Sequence, residues 1–216
     1  MNRFFHARTR RRVVKKFADK VGLLYFGYVN QHSDDHRIVR GFTVSATHQD
    51  NHYCVGSIGD YDITMVDRCD LVRQSNDSVA TYNWLIMAFD LHTKQDLPHI
   101  FINALNHDSR PYTTLFTTFP SMKQIELGTF EDYGPEFTSR FAIYSQPSAS
   151  IEVEKLFPNI ATRVLGTHFW PMSAEVHENI LYVYSDEEQV THNLLDTMLQ
   201  SGLWLAGHLD LQAEIV

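Results

Sequence analysis

The sequence predicts an α+β fold, an antiparallel or mixed β-sheet with helices packed on one side. Three observations carry that prediction. Strand-like runs cluster from Gly41 onward, and do not alternate with twelve-residue helices as a doubly wound parallel sheet would require. Two hairpin patterns stand around Gly59-Asp60 and Glu178-Asn179. The last stretch carries apolar residues at helical spacing, with Leu195, Met198, Leu199, Leu205, Ala206 and Leu209 on one stripe.

Residues 1–28 are expected to form a basic amphipathic helix, and residues 40–216 a single α+β domain. Val14, Phe17, Val21 and Leu24/Tyr25 recur at three- and four-residue steps, with Gly22 and Gly27 marking the helix end. Residues 30–37 read as a polar loop. In the hairpin Tyr53–Val66, a turn at Gly59-Asp60 sets Ile58 opposite Tyr61, Gly56 opposite Ile63 and Cys54 opposite Met65. The other row holds Val55 with Thr64 and Tyr53 with Val66. Trp84–Leu91 and Leu97–Leu105 are nearly all apolar, as strands covered on both faces would be.

Residues 111–120 are rich in Thr and Phe, and are left between a short helix and irregular structure. Ile125–Thr129 reads as a short strand, Pro135 as the opening of a helix, and Phe141–Tyr144 as a strand. Pro147 and Pro158 each open a short helix. Ala149, Val153, Leu156 and Phe157 are the expected apolar face of the first, and Ile160, Val164 and Leu165 that of the second. The second hairpin sets Val176 opposite Leu181 and Ala174 opposite Val183. Thr191 is placed to cap the final helix, whose interior glycines Gly202 and Gly207 suit close packing against the sheet.

Composition narrows the class. Apolar residues make up 44% and charged residues 20% of the 216, which is globular rather than disordered composition. No apolar run reaches the roughly 18 residues that span a bilayer, and no secretory h-region is present. The expected location is therefore cytoplasmic, with peripheral membrane attachment open. Cys54 and Cys69 belong to no C-x-x-C pair, so two free thiols in a reducing compartment are expected.

Charge is segregated. Residues 1–20 hold eight Lys/Arg against one Asp, net +7, while the other 196 residues hold ten Lys/Arg against 25 Asp/Glu, net −15. An acidic body repels nucleic acid and anionic lipid, so any attraction falls to the arm. Arg8, Arg10, Arg11, Arg12, Lys15 and Lys16 are its candidate partner contacts. Three partners fit them: an anionic membrane surface, an acidic protein surface (of this chain or another), and, ranked lower, nucleic acid. The arm's aromatic residues do not alternate with its basic ones, as a base-stacking platform would require.

Phe130 to Tyr144 reads F-E-D-Y-G-P-E-F-T-S-R-F-A-I-Y, an acidic lead-in followed by E-F-x-x-R-F and an alternating strand. With the helices, hairpin and final helix that follow, this resembles an uncharacterised bacterial family defined as a domain of unknown function with an E-F-x-x-R/K-F motif. The resemblance covers about residues 125–210 and reaches weakly back to Tyr53–Arg68. It implies a bacterial protein of unassigned activity. Many members of such families carry transmembrane segments, and this sequence has none. The motif also reads as packing, with Phe137, Phe141 and Ile143 as core anchors and Glu136 and Arg140 as an exposed ion pair.

The dinucleotide, P-loop, zincin, α/β-hydrolase and EF-hand signatures are absent. The candidate metal ligands are His32, Asp34 and His36 in one segment and His48 and His52 in another. On an extended strand, histidines four apart stand ~13 Å from each other, so only a turn would gather them. Twelve histidines among 216 residues supply such pairs by chance, which makes solvated loop histidines the plainer reading and predicts no cofactor. Cys54 on the apolar row points to an inert thiol, and Asp60, Asp62 and Asp67 to turn and edge solvation. The function these readings imply is a non-catalytic interaction or scaffold domain, peripheral at a membrane through its basic helix. The alternative is a metal-dependent or hydrolytic enzyme using the His/Asp-rich loops.

Overall fold

The computed structural model describes residues 2–28, 39–43, 47–73, 78–105, 119–128, 132–187 and 189–215. Helix α1 (Asn2–Val21) runs into strand β1 (Leu24–Tyr28), and β2 (Gln49–Ile58), β3 (Tyr61–Arg73), β4 (Val79–Asp90), β5 (Ile100–Ala104) and β6 (Lys123–Ile125) follow. A single turn, α2 (Pro135–Thr138), precedes β7 (Phe141–Ser145). Short helices α3 (Ser150–Leu156) and α4 (Asn159–Val164) lead to the hairpin β8 (Ser173–His177) and β9 (Ile180–Ser185), and α5 (His192–Ala213) closes the chain. The strands found among the described residues form one sheet, in the order β1-β2-β3-β4-β9-β8-β5-β7-β6. Every neighbouring pair is antiparallel. The fold is thus α+β, with an N-terminal helix and a long C-terminal one.

Strand periodicity divides the core in two. Leu85, Met87 and Phe89 of β4 join Ile63 and Met65 of β3 and Leu181 and Val183 of β9 on one face. Val14, Phe17 and Ala18 of α1, Val153 and Leu156 of α3, and Leu195, Met198, Leu205 and Leu209 of α5 cover that face. Each fully buried Leu or Phe there contributes about 1.5–3 kcal/mol of transfer free energy. Helix α5 starts at Thr191, whose hydroxyl accepts the Leu194 N–H at 3.1 Å. It comes close enough to the sheet that a Cβ on Gly202 would overlap the Phe89 ring. Gly207 has no such constraint, since a Cβ there makes only ordinary contact with the Tyr61 hydroxyl.

The alternate residues Trp84, Ile86 and Ala88, with Tyr53, Val66, Phe101, Tyr182 and Tyr184, form the second core. Val39, Phe42 and Met122, from connecting segments, pack over it. Two buried charges hold the segment 39–43 in place. Arg68, fully buried, donates to both oxygens of Asp50 at 2.7 Å, to the Val39 carbonyl at 2.6 Å and to the Thr43 hydroxyl at 3.1 Å. Glu175 accepts from the Phe42 N–H at 2.8 Å and the Tyr184 hydroxyl at 2.6 Å, and its other oxygen meets His99 Nε2 at 2.6 Å. Buried charges survive only with such full sets of partners.

Both hairpin registers follow the sequence, including Cys54 opposite Met65 and Ala174 opposite Val183. Tyr53 does not pair singly with Val66, because a bulge at residues 52–53 sets two residues against one, with His52 at φ 54°. Strands β3 and β4 pair as far as Arg73 and Val79, longer than the alternation alone shows. The N-terminal helix ends at Val21, not at residue 28. Gly22 takes φ 84° and the Leu23 N–H closes onto the Ala18 carbonyl at 2.9 Å, a Schellman termination. Leu24 and Tyr25 therefore belong to a strand, not to the helical stripe.

The buried face of α4 is Ala161 and Thr162, while Ile160 points to solvent at 74% exposure. The expected Glu136–Arg140 pair does not form because α2 stops at Thr138. Arg140 instead donates to the Gly166 carbonyl at 2.6 Å and lies 5.9 Å over the Trp170 ring, and Glu136 faces Arg163 at 3.5 Å. Phe137 and Phe141 are buried with stacked rings 5.5 Å apart. Residues 29–38 and 106–118, which include the expected polar loop and most of the Thr/Phe-rich segment, lie outside the described residues.

Candidate binding cleft

Helix α1 divides its cations between two faces. Val14, Phe17 and Ala18 are fully buried, and Arg10 and Lys20 pair with acids of the body beside them. Arg10 grips Asp67 of β3 with two donors, the Nη2 contact at 2.8 Å. Lys20 meets both oxygens of Asp196 on α5, at 2.8 and 2.9 Å. Two of the arm's charges thus dock it onto the acidic body of its own chain. Asp67 is part of that dock rather than a solvated edge group, whereas Asp62 bonds Ser57 at 2.5 Å beside the turn. Arg8, Arg11, Arg12, Lys15 and Lys16 all lie exposed. At ~100° per residue they fall within an arc of roughly 140° on the side away from the core.

Beside that face lies a cleft of about 510 Å³. Arg11 and Lys15 form its helix wall, Tyr25 to Tyr28 its edge-strand wall, and Asn51 and His52 the bulged wall. Its volume falls in the range of small-ligand sites. The walls exist because of two backbone choices. Gly27, at φ 73°, shifts the β1 register against β2, and His52 takes a left-handed conformation that turns its ring toward Tyr25. Tyr25 Oη and His52 Nδ1 are 2.8 Å apart, with rings 6.0 Å apart and 24° from parallel.

The protonation of the cleft follows from its chemistry. Burial raises the Tyr25 pKa, opposed by the Arg11 cation and its hydrogen bond, so the phenol stays neutral at pH 7. Burial lowers the His52 pKa; Asp67 opposes this, and Arg10 and Arg11 reinforce it. The imidazole is therefore neutral at pH 7. The Tyr25 hydroxyl and His52 Nδ1 share this hydrogen bond, with either able to donate according to the imidazole tautomer. Of the apolar residues lining it, Phe26 and Tyr28 are 48% and 71% exposed.

The metal candidates fare differently. His32, Asp34 and His36 lie outside the described residues. His48 precedes β2, while His52 is held by Tyr25. Among the described residues, no group of three or more His, Cys, Asp and Glu could hold an ion. Asp50, between the two histidines, is committed to Arg68. Burial pushes the Cys54 thiol up to about 12, aided by Asp19, which makes it a poor nucleophile. Cys69 is also raised, again mainly by burial. His99 and His177 stack 4.4 Å apart beside Glu175, where sequence patterns gave no hint of a cluster. Burial, then the His99 charge, lowers the His177 pKa.

Tyr25 and Asn51 went unnoticed as site residues. Tyr25 was assigned to a helical stripe, and Asn51 stands in a strand whose bulge no local pattern announces. Gly27 was the one available signal.

The class these features define is an α+β domain, a single antiparallel sheet covered by a basic N-terminal and a long C-terminal helix. Its fold is similar to the crystal structure of the mycobacterial trehalose monomycolate transport factor A, TtfA, with a TM-score of 0.60 at 11% identity over 97% of each chain. At that identity the likeness shows the fold alone. No protein-family model matches the chain, and no curated protein does. Among the described residues no helix is long and apolar enough to cross a membrane.

Proposed function

We propose that this is a non-catalytic interaction domain of the uncharacterised bacterial family its Glu136–Phe141 segment resembles, and that it docks peripherally on an anionic, cytoplasmic membrane surface. The observation that carries this reading is the division of α1. Arg10 and Lys20 are consumed in docking the helix to its own body, while Arg8, Arg11, Arg12, Lys15 and Lys16 point outward. Cations near an anionic leaflet contribute about 1 kcal/mol each, and the exposed Phe26 and Tyr28 beside Arg11 and Lys15 add apolar contact. Lipid is favoured over nucleic acid because exposed aromatic side chains adjoin the charges and the remaining body is acidic.

Vesicle flotation tests the reading. Wild-type protein is expected to float with phosphatidylserine vesicles, to ignore phosphatidylcholine vesicles, and to detach as salt rises. The variant Arg8→Gln/Arg12→Gln/Lys16→Gln is expected to keep its melting temperature and lose flotation. Equal flotation of that variant, or tighter binding to RNA than to the vesicles, would sink the proposal. A stoichiometric metal in the purified protein, lost on substituting His48 and His52, would favour the enzymatic alternative instead.

A further inference from the structure

The outward cations of α1 would suit any anionic surface, but the cleft beside them is more selective in its chemistry. Two fixed positive charges, Arg11 and Lys15, stand one helical turn apart on a single wall. Opposite them are groups that donate hydrogen bonds without adding charge, the Asn51 amide and the neutral His52 ring. The Tyr25–His52 hydrogen bond holds the imidazole in place against the strand wall, so little of its orientational freedom is lost on binding. Phe26 and Tyr28, both largely exposed, line its strand wall. A ligand seated here would have an anionic head between the walls and an apolar continuation over the rim.

From this convergence we infer that the cleft binds the phosphomonoester headgroup of a membrane lipid. A phosphomonoester carries about −1.5 to −2 charges at neutral pH, which answers two cations more fully than the single charge of a diester. Its terminal oxygens accept from a guanidinium fork and from neutral donors together. The exposed apolar rim and the neighbouring basic face favour the lipid over free phosphate as the source. This inference rests on the peripheral docking proposed above and narrows it from any anionic surface to one headgroup chemistry.

The test compares phosphatidic acid with phosphatidylserine vesicles adjusted to equal surface charge, and glycerol 3-phosphate in solution. Wild-type protein is expected to bind phosphatidic acid vesicles about tenfold more tightly. Arg11→Lys keeps the charge but loses the fork, and His52→Asn keeps a residue that tolerates positive φ. Each is expected to bring the lipid preference toward unity by weakening phosphatidic acid binding much more than phosphatidylserine binding. Arg8→Gln/Arg12→Gln/Lys16→Gln should weaken both vesicle types in parallel and preserve the ratio. Glycerol 3-phosphate should shift the Tyr25 ring resonances in the wild type and not in the two cleft variants.

Equal binding of both lipids by the wild type would overturn the headgroup inference and leave peripheral docking intact. Binding of glycerol 3-phosphate with no vesicle binding at all would overturn the lipid source together with the docking proposal.

Discussion

The two faces of the sheet are covered by different means. On one, α1, α3 and α5 bring apolar stripes against Ile63, Met65, Leu85, Met87 and Phe89, and charge plays the lesser part, with Arg10 tying α1 to Asp67 and the buried Glu154 of α3 accepting the Gly128 N–H. On the other, segment 39–43 is seated by Arg68 and Glu175, which reach out of strands to hold backbone groups of an irregular stretch. A helix satisfies its own backbone and docks chiefly through an apolar stripe. A loop brings unpaired N–H and C=O groups with it, so the strands beneath must supply charged partners.

Arg68→Ala should break that contrast hardest. It strands Asp50 in the interior and frees Val39 and Thr43, and is expected to cost about 3–5 kcal/mol in urea unfolding. The double variant Arg68→Met/Asp50→Leu should sit closer to wild type than either single one, since no lone charge remains. A double variant as unstable as Arg68→Ala would mean the pair acts through more than its own neutralisation.

On the helix side, Leu195→Ala should cost about 3 kcal/mol by leaving a cavity under α5. Gly202→Ala should cost about 1–3 kcal/mol by pressing α5 away from Phe89. Gly207→Ala is the control, and with only ordinary contact to the Tyr61 hydroxyl there it should be neutral or slightly stabilising.

The smallest expected effect is a pH dependence. His52, His177 and His208 all have pKa values lowered by burial, so the unfolded chain binds more protons than the folded one below about pH 7. Their contribution is fully present above the unfolded value near 6.5 and is lost as pH falls below it. The urea midpoint should therefore decline between pH 7.5 and 5.5. His208→Gln should flatten the decline, because its Nε2 contact to the Leu156 carbonyl at 2.9 Å survives as an amide donor.

The helix-covered face was also the legible one. Thr191, Leu195, Met198 and Leu209 announce α5 through capping and a 3.6-residue period, and both hairpin registers follow from two-residue turns. The loop-covered face was hidden because a buried Arg68 and a solvated arginine look alike in a strand, and the partners Asp50 and Thr43 lie 18 and 25 residues away. Half of the cleft was legible. The basic residues Arg11 and Lys15 stood out by charge, but Tyr25 reads as helix until Gly22 is known to end it, and the His52 bulge depends on pairing between β2 and β3.

Only Gly22 and Leu23 separate α1 from β1. The helix is consequently no tether that could swing on a hinge, because its movement is transmitted mechanically to the first rung of the sheet. A load taken up by Arg12 or Lys16 would pull on the β1–β2 ladder, and slowed or hastened amide exchange in Leu24–Tyr28 would be its readout. Removing the first twenty residues would not yield an unanchored version of the same domain, since it would strip Val14, Phe17 and Ala18 from the interior and leave the outermost strand without its support.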